Sequence, residues 1–173
     1  IPNYFGEQRF GRAATNLKLA DRWAATVGAG LARDRLPRHS RSLAISTIRS
    51  FLFNEYLGKR VEDGTWGTIL PGDTANLDGT NSVFAVAEVD DDIERRCREL
   101  DIHPTGELAG ESSEEGTESW LAALRKARVA PGTRSLRAKV IKLRLTVSDE
   151  AIELSFTLRR GEYATSVLRE LID

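Results

Sequence analysis

The sequence predicts an α+β fold with an antiparallel sheet, and two patterns support that prediction. Apolar and polar residues alternate in two runs near the C-terminus, which is typical of paired strands with one buried face. Closer to the N-terminus, apolar residues recur every three or four positions, which is typical of amphipathic helices. The chain has 173 residues, of which 40% are hydrophobic. It can therefore form a core without disulfides or metals, as one ordinary domain or two small ones.

The N-terminal part is predicted to be mainly helical. A first helix is indicated by apolar residues at helical spacing: Leu17, Ala20, Trp23, Ala24 and Val27. A polar, basic connection follows from Arg33 to Ser40, and Ser40 or Ser42 is the expected N-cap of the next helix. That second helix is expected to be long and buried and to end near Leu57. Its apolar residues are Leu43, Ile48, Phe51, Leu52 and Tyr56.

The middle of the chain is predicted to contain short elements. Glycine and proline residues interrupt short β-prone runs between Thr65 and Val89, so small strands or a hairpin are expected there. A short helix is indicated by apolar residues at i, i+4 and i+7: Ile93, Cys97 and Leu100. The stretch from Pro104 to Gly116 is polar and contains glycine, which predicts a long loop. A further helix begins at Trp120 and is closed by Pro131 and Gly132.

The C-terminal part is predicted to be a hairpin followed by a helix. The alternation is regular over residues 141–147 and resumes over residues 152–158, which predicts an antiparallel pair. In its first strand, Lys142 and Arg144 are expected on the face opposite the core. A terminal helix is predicted from about Glu162, with apolar residues Ala164, Val167, Leu168 and Leu171.

Charge is distributed unevenly although the net charge is -1. Residues Glu88 to Glu118 include twelve acidic and three basic residues, whereas Leu124 to Arg144 include eight basic residues and no acidic ones. Such asymmetry is typical of a protein that approaches a polyanion on one side. The alternative is that these are solvated faces whose charges only keep the protein soluble.

Several function classes lack support in the sequence. No apolar run approaches the roughly 20 residues of a membrane helix and no leader resembles a signal peptide, so a cytoplasmic protein with no membrane partner is expected. The single cysteine, Cys97, excludes an internal disulfide. His39 and His103 are too isolated to form a metal site with Cys97, and no nucleotide-binding glycine loop is present. We therefore expect no metal and no nucleotide cofactor. The chain contains no methionine, so we expect it to be part of a longer protein.

The opening stretch, residues 3–11, is the most unusual motif. It combines three aromatic residues, two glycines and four other hydrogen-bonding side chains within nine positions. Such a mixture suits a site that stacks a flat ring and reads its edge, as recognition of a splayed-out RNA base requires. The alternative is a strand end or turn whose aromatic side chains belong to the core.

Three stretches resemble, in order, the signatures of the TruD-type tRNA pseudouridine synthases. Residues 3–11 resemble the family's N-Y-F-G-x-Q-R-F-G, and residues 46–54 resemble S-A-x-R-S-x-L-F-N. Residues 161–171 resemble G-x-F-A-T-x-V-x-R-E-L, and residues 103–106 are a weaker match to a P-x-G segment. The matches span nearly the whole chain, and three ordered motifs are much more specific than one.

The resemblance implies isomerisation of a uridine of tRNA, at position thirteen in the D-stem region, to pseudouridine without a cofactor. In pseudouridine synthases an aspartate acts on the flipped uridine, the glycosidic bond breaks, and the base rotates and reattaches through carbon. In this family the aspartate lies in a G-x-K-D-[RK]-x-A-x-T motif upstream of the opening signature, and that motif does not occur here. The catalytic aspartate is therefore expected upstream of Ile1, and this chain alone is expected to be inactive.

The resemblance also implies an active-site wall. Phe5 matches the family's aromatic residue that packs on the target base. Asn3 matches a polar residue near the catalytic aspartate and is expected to hold it by a hydrogen bond. Tyr163 stands where the family usually has phenylalanine, and its hydroxyl needs a partner if it is buried. Arg9 and Arg169 are either structural residues or substrate contacts.

The domain organisation that the resemblance implies has two parts. Residues 1–34 and 136–173 belong to a partial pseudouridine synthase catalytic domain with an antiparallel sheet, and residues 35–135 form an inserted mixed α/β domain. The two parts are expected to face each other across a basic cleft that contacts the phosphates of tRNA. The residues expected in that cleft are Arg33, Arg35, Arg38, Arg41, Arg134, Arg137 and Lys139.

Two other hypotheses remain open at this point. The chain could belong to a non-catalytic RNA-binding relative that kept the cleft and lost the aspartate. It could also be an α+β interaction module with no nucleic-acid role. The residues upstream of Ile1 separate the first of these from an enzyme, and salt-sensitive tRNA binding counts against the second. The oligomeric state stays open.

Overall fold

The structure, a computed structural model, describes residues 1–28 and 36–172. Two short 3-10 turns open the chain, at Glu7–Arg9 and Arg12–Ala14. The helices are α1 (Thr15–Gly28), α2 (Arg38–Glu62), α3 (Asp91–Arg98), α4 (Glu118–Lys126) and α5 (Ala164–Ile172). The strands are β1 (Thr74–Leu77), β2 (Val83–Ala85), β3 (Ile102–Leu108), β4 (Gly132–Ser135), β5 (Ile141–Val147) and β6 (Ile152–Thr157). The α+β prediction is confirmed.

Helices α1, α2 and α4 pack together as one layer. Trp23 from α1, Ile48 from α2 and Leu124 from α4 are buried in a shared cluster, so the apolar spacing read from the sequence marks real core faces. The predicted cap of α2 is wrong. The helix begins at Arg38, directly after Pro37, and proline is tolerated at a helix start because the first N–H groups have no partner inside the helix.

The main sheet has four antiparallel strands in the order β2-β1-β3-β4. The small strands expected between residues 65 and 89 are therefore confirmed as β1 and β2. The long loop expected from Pro104 to Gly116 is wrong in its first part, because residues 104–108 belong to the inner strand β3. Pro104 accepts the N–H of Leu136 at 2.8 Å but has no N–H to donate in return. The Leu136 carbonyl accepts the N–H of Asn3 instead, at 2.8 Å.

Gly106 explains how closely α2 approaches β3. A Cβ at this position would lie 2.9 Å from the Tyr56 ring, 3.0 Å from the Phe53 ring and 3.1 Å from Leu136. Phe53, Leu57 and Leu136 are all fully buried in the cluster between helix and sheet. The absence of a side chain at Gly106 therefore lets the Phe53 ring lie directly on the strand.

Helix α3 covers the opposite end of the sheet. Asp90 caps it by accepting the Ile93 N–H at 2.9 Å, and Cys97 is buried against β1 and β3. The prediction is wrong for Leu100, which lies beyond the end of the helix at Arg98 and is 37% exposed. The three bases of the acidic stretch make local ion pairs: Arg95 with Asp92 and Glu99, Arg96 with Asp101, and Arg98 with Glu94. This arrangement is typical of a solvated helix face.

Strands β5 and β6 form the predicted antiparallel hairpin, but its orientation is corrected. They make a separate two-stranded sheet, and its apolar side chains are largely exposed in the described part of the chain, including Leu145 at 60% and Ile152 at 71%. A register shift between Ile141 and Arg144, with Lys142 at φ +56°, also breaks the regular alternation on which the position of Lys142 rested.

The terminal helix α5 is confirmed, and it starts at Ala164 rather than near Glu162. Val167 is buried, whereas Leu168 and Leu171 are 41% and 56% exposed. Only part of the predicted apolar stripe is therefore covered. Within residues 1–28 and 36–172, no helix is both long and apolar enough to cross a membrane.

Candidate active site

The opening segment is held on the chain just after β4. Pro2 forms an isolated antiparallel bridge with Arg137, and the Ile1 carbonyl accepts the N–H of Ala138 at 2.9 Å. The Asn3 side chain is buried and donates through Nδ2 to the carbonyl of Ser135 at 2.9 Å. These contacts fix the backbone that leads into Phe5.

Phe5 is held on both its ring and its backbone. The side-chain amide of Asn54 accepts the Phe5 N–H at 2.9 Å and donates to the Phe5 carbonyl at 3.0 Å. The ring makes edge contacts with Phe53 and Tyr163, at centroid distances of 5.6 Å and 5.9 Å. The guanidinium of Arg134 lies over its face, 4.0 Å from the centroid. A base could therefore pack on this ring only where Arg134 does not cover it.

Arg9 connects the three sequence motifs. One terminal nitrogen donates to the Ser46 hydroxyl at 3.0 Å, and the other donates to the Tyr163 hydroxyl at 2.7 Å. The hydroxyl that the family's phenylalanine lacks thus has its partner within the chain. We call the residues that meet here, Phe5, Arg9, Ser46, Asn54 and Tyr163, the motif junction.

Gly6 lets the first and third motifs come into contact. A Cβ on Gly6 would lie 2.6 Å from the Thr165 hydroxyl oxygen, so a side chain there would push the terminal motif away. Beside it, the Ser166 hydroxyl donates to the carbonyl of Tyr4 at 3.1 Å. Tyr4, Phe5, Gly6, Thr165 and Ser166 also line a cavity of about 590 Å³.

Arg134 serves mainly as an internal tie. It donates to the Asn3 side-chain oxygen at 2.6 Å, to the Asn3 carbonyl at 3.2 Å and to the Gly161 carbonyl at 2.9 Å. Burial lowers the pKa of Arg134 to about 10, so the guanidinium still carries its charge at neutral pH. Arg134 thus joins the opening motif, through Asn3, to the terminal motif, through Gly161.

Asn3 has two partners within the chain. Its Nδ2 donates to the Ser135 carbonyl, and its Oδ1 accepts from Arg134. Because Nδ2 carries two hydrogens, one N–H remains for a carboxylate. The expected contact of Asn3 with the catalytic aspartate therefore stays a prediction, and the bond to Arg134 is an additional role.

The predicted basic residues fall into separate places. Arg33 and Arg35 lie outside the described residues, and Arg38 and Arg41 lie in the first turn of α2. Arg134 also packs on Phe53, which follows Arg38 by fifteen positions in α2. Because a helix rises about 1.5 Å per residue, Arg38 and Arg134 lie roughly 20 Å apart along α2. Arg38 and Arg134 therefore do not meet at one point.

Arg137 makes internal contacts with all of its side-chain nitrogens. They donate to the carbonyls of Gly67, Cys97 and Ile102 and to Nδ1 of His103, at 2.6–3.1 Å. Burial lowers the pKa of Arg137. The side chain joins three separate segments, because it bonds carbonyls of the stretch before β1, of α3 and of β3.

Asp78, just after β1, is the centre of a second network. Arg159 binds its carboxylate with both terminal nitrogens, at 2.5 Å and 2.9 Å, and Lys139 donates to it at 3.2 Å. Arg137 donates to Nδ1 of His103, so the ring hydrogen is on Nε2 and is donated to Asp78 at 2.7 Å. His103 is therefore neutral, and burial lowers its pKa. The hydrogen bonds from Arg159 in particular hold the pKa of Asp78 below its usual range.

Sequence reasoning assigned no role to Asn54, Asp78 or Arg159. Asn54 was signalled, because it ends the second motif, but its contact with Phe5 spans 49 positions of sequence. Arg159 lies two residues before the third motif. Asp78 lies in a stretch whose glycine and proline residues indicated turns but no site. Among residues 1–28 and 36–172, no three His, Cys, Asp or Glu side chains are grouped as metal ligands would be.

Comparison with known proteins agrees with this architecture. The crystal structure of a protein assigned as tRNA pseudouridine synthase D (TruD), from Methanosarcina mazei, superposes with a TM-score of 0.64. It matches 98% of this chain and 60% of the archaeal chain at 18% sequence identity. The chain thus has part of a pseudouridine synthase fold, in the α+β class.

The family follows from sequence comparisons. The model of the family described as tRNA pseudouridine synthase D (TruD) matches residues 24–126. Curated proteins of that description from Methylococcus capsulatus and Idiomarina loihiensis are 39% and 38% identical over the whole of this chain. The chain belongs to the TruD family. It spans about half the length of these relatives, 52% and 53% respectively.

Proposed function

We propose that the protein containing this chain is a tRNA pseudouridine synthase that isomerises the uridine at position thirteen, in the D-stem region. The observation that carries the proposal is the motif junction. Arg9 brings three stretches that are far apart in sequence onto one aromatic residue, Phe5. A held aromatic ring with fixed donors beside it is what recognition of an extruded base requires.

In this proposal Asn3, Phe5 and Tyr163 form one wall of the active site. Phe5 packs on the target base, and the amide of Asn54 fixes its position. Asn3 binds Arg134 and has one N–H left for the catalytic aspartate, and Tyr163 keeps the Phe5 ring in place through its edge contact and its bond to Arg9. The catalytic aspartate is supplied by a part of the protein outside this chain. Substrate and product contain the same atoms, so the reaction consumes no cofactor.

We further propose that the domains divide as the resemblance implies. Residues 1–34 and 136–173 would belong to the catalytic domain, and residues 35–135 would form the insertion. Pairing of Pro2 with Arg137 supports this division, because it joins the two catalytic segments just after the insertion ends. The exposed apolar face of β5 and β6 supports a catalytic domain completed by further residues of the protein.

We also propose phosphate contacts for two sets of basic residues. The first set, Arg33, Arg35, Arg38 and Arg41, precedes or opens α2 in the sequence, and the second is Lys139. Arg134 and Arg137 border these contacts but act chiefly as scaffold, since their donors bind protein oxygens and, for Arg137, a histidine nitrogen. A protein with these roles works on tRNA in the cytoplasm.

The test is conversion of uridine in purified tRNA by the full-length gene product. We expect pseudouridine at a single D-stem position, mapped by a chemical method that detects the modified base. Phe5→Ala should lower the conversion rate by about 10- to 100-fold, because one stacked base contributes on the order of 1–3 kcal/mol. Absence of conversion in every tRNA tested would overturn the proposal.

A non-catalytic RNA-binding relative is the second candidate. It differs from the first candidate only in the G-x-K-D-[RK]-x-A-x-T motif, which is expected upstream of Ile1. It predicts salt-sensitive tRNA binding without any conversion, even when the full-length protein is assayed. The same experiment therefore separates the two candidates.

A further inference from the structure

A basic cavity of about 280 Å³ adjoins the proposed active-site wall at Asn3. Its lining includes five basic side chains, Arg134, Arg137, Lys139, Arg159 and Arg160. Among the residues that the structure describes, Glu162 is the only acidic one in the lining, and Asp78 accepts hydrogen bonds from Lys139 and Arg159. Five positive charges against two negative ones leave a net charge of +3 around the cavity, which favours an anion.

The basic residues of this cavity differ in how many donors remain for a ligand. Arg134 and Arg137 are half-buried, and their donors bind protein oxygens and, for Arg137, a histidine nitrogen, as described above. Lys139 makes one hydrogen bond, to Asp78, and therefore has two N–H groups left. Arg160 is exposed and makes no hydrogen bond or ion pair within the described parts of the chain. The side chains available to a ligand are thus Arg160 and Lys139.

Asp78 prepares these donors rather than cancelling them. It accepts both terminal nitrogens of Arg159 and one N–H of Lys139, so both cations are held at the cavity wall without a ligand. The Asp78 side chain is only 20% exposed, compared with 35% for each of the two cations. The carboxylate is therefore the inner group, and the cations form the surface that a ligand meets.

The position of the cavity connects it to base recognition. Arg134 lines the cavity and also lies 4.0 Å from the centroid of the Phe5 ring. Asn3 lines the cavity two residues before Phe5. An RNA strand whose base packs against Phe5 would have its backbone close to this cavity, because base and phosphate belong to the same strand.

From this arrangement we infer that the cavity is a phosphodiester-binding subsite for the RNA strand near the target uridine, with Arg160 and Lys139 as the contacting residues and Asp78 as the residue that positions Lys139 and Arg159. The inference rests on the proposed function. It assigns a place on the RNA backbone to Arg160, which no sequence motif singles out, and removes Arg134 and Arg137 from direct phosphate contact.

The first test compares tRNA affinity of the full-length gene product with that of Arg160→Ala over a range of salt concentrations. Loss of one charge-assisted contact should weaken binding about tenfold and make the plot of log affinity against log salt shallower by about one. Arg160→Lys should recover part of the affinity, because it keeps the charge. Arg98→Ala is the matched control, since this exposed arginine lies on the acidic helix α3.

The second test identifies the phosphate. RNA substrates carrying one neutral methylphosphonate at each linkage around the modified uridine are bound to wild-type protein and to Arg160→Ala. We expect one linkage at which the substitution weakens the wild type but has little further effect on the variant. If every linkage affects both proteins equally, or if Arg160→Ala behaves like Arg98→Ala, the subsite is wrong. The proposed function fails separately, when the wild type neither binds nor modifies tRNA.

Discussion

The motif junction and the β5–β6 hairpin both contain large apolar side chains, but these are packed in the junction and exposed in the hairpin. At the junction, Phe5 is enclosed by Phe53, Tyr163 and Arg134, and hydrogen bonds fix its backbone. In the hairpin, Leu145 and Ile152 belong to sequences in which apolar and polar residues alternate as in a half-buried strand, yet both side chains are mainly exposed. The difference shows that an apolar pattern predicts which face of an element is apolar. Whether that face is buried depends on other elements that pack against it.

The largest effect is expected at the support of the junction. Phe53→Ala removes a fully buried ring between α2 and β3, and should lower the free energy of unfolding by about 3–5 kcal/mol. Leu145→Ala in the hairpin is the contrast, with a change below about 0.5 kcal/mol in the 173-residue chain. Denaturant unfolding of both variants measures the difference. Equal losses would contradict the view that Phe53 is packed in a core whereas the hairpin face is not.

A smaller effect is expected for the bond between Arg9 and Tyr163. Tyr163→Phe restores the family's usual residue and removes an acceptor from Arg9, so it should destabilise the chain by about 0.5–1.5 kcal/mol. Arg9→Met should cost more, because it also breaks the contact with Ser46. The double variant should lose less stability than the sum of the two single losses, because both variants break the same bond. Full additivity would show that the bond contributes nothing to the junction.

The network around Asp78 predicts a pH dependence of stability. The pKa of His103 is lowered in the folded chain, so its contribution is present above about pH 6.5 and is lost as the pH falls towards its folded pKa. The pKa of Asp78 is lowered from 3.8, so its contribution disappears only at more acidic pH. Unfolding free energy should therefore fall between pH 7 and pH 5, and less so in His103→Gln.

The control for that experiment is the second histidine. His39 is exposed in the first turn of α2, so His39→Gln should keep the pH dependence of the wild type. A His103→Gln variant that follows the wild-type curve throughout would mean that the Asp78 network does not depend on the neutral ring. The hairpin would then be tied to the sheet by Arg159 and Lys139 alone.

The smallest effect on the chain itself is expected for Leu145→Lys. A lysine at this exposed position should change the stability of the 173-residue chain by less than about 0.5 kcal/mol. In the full-length gene product the same variant should be destabilised by several times as much, if further residues cover the hairpin as we propose. Thermal unfolding of the two pairs of proteins provides the comparison. Equal effects in both would place the hairpin face in solvent.

The sequence predicted those elements whose signals are local. The spacing of Leu17, Trp23 and Val27 fixed α1, and strict alternation identified β5 and β6. The sequence did not predict β3, because Pro104 and Gly106 are typical of loops. Their place in the sheet depends on partner residues about thirty positions away on either side. The strand forms because β1 and β4 flank it.

Side-chain roles at the candidate site were harder to predict for a related reason. The sequence identified Phe5 and Tyr163, and the structure brings them together. Charge alone could not distinguish Arg137, which bonds buried carbonyls, from Arg160, which is exposed. Burial decides whether an arginine is a scaffold or a contact, and burial depends on the fold as a whole.

Arg9 and Tyr163 are separated by 154 positions, and Asn3 and Ser135 by 132. Contacts of such high sequence separation form slowly, since the ends of a long loop must meet before any bond rewards them. The α1–α2 layer needs no such closure, so it should form before the junction does. A chain that stops at residue 160 should therefore keep these helices and lose the edge contact of Tyr163 with the Phe5 ring.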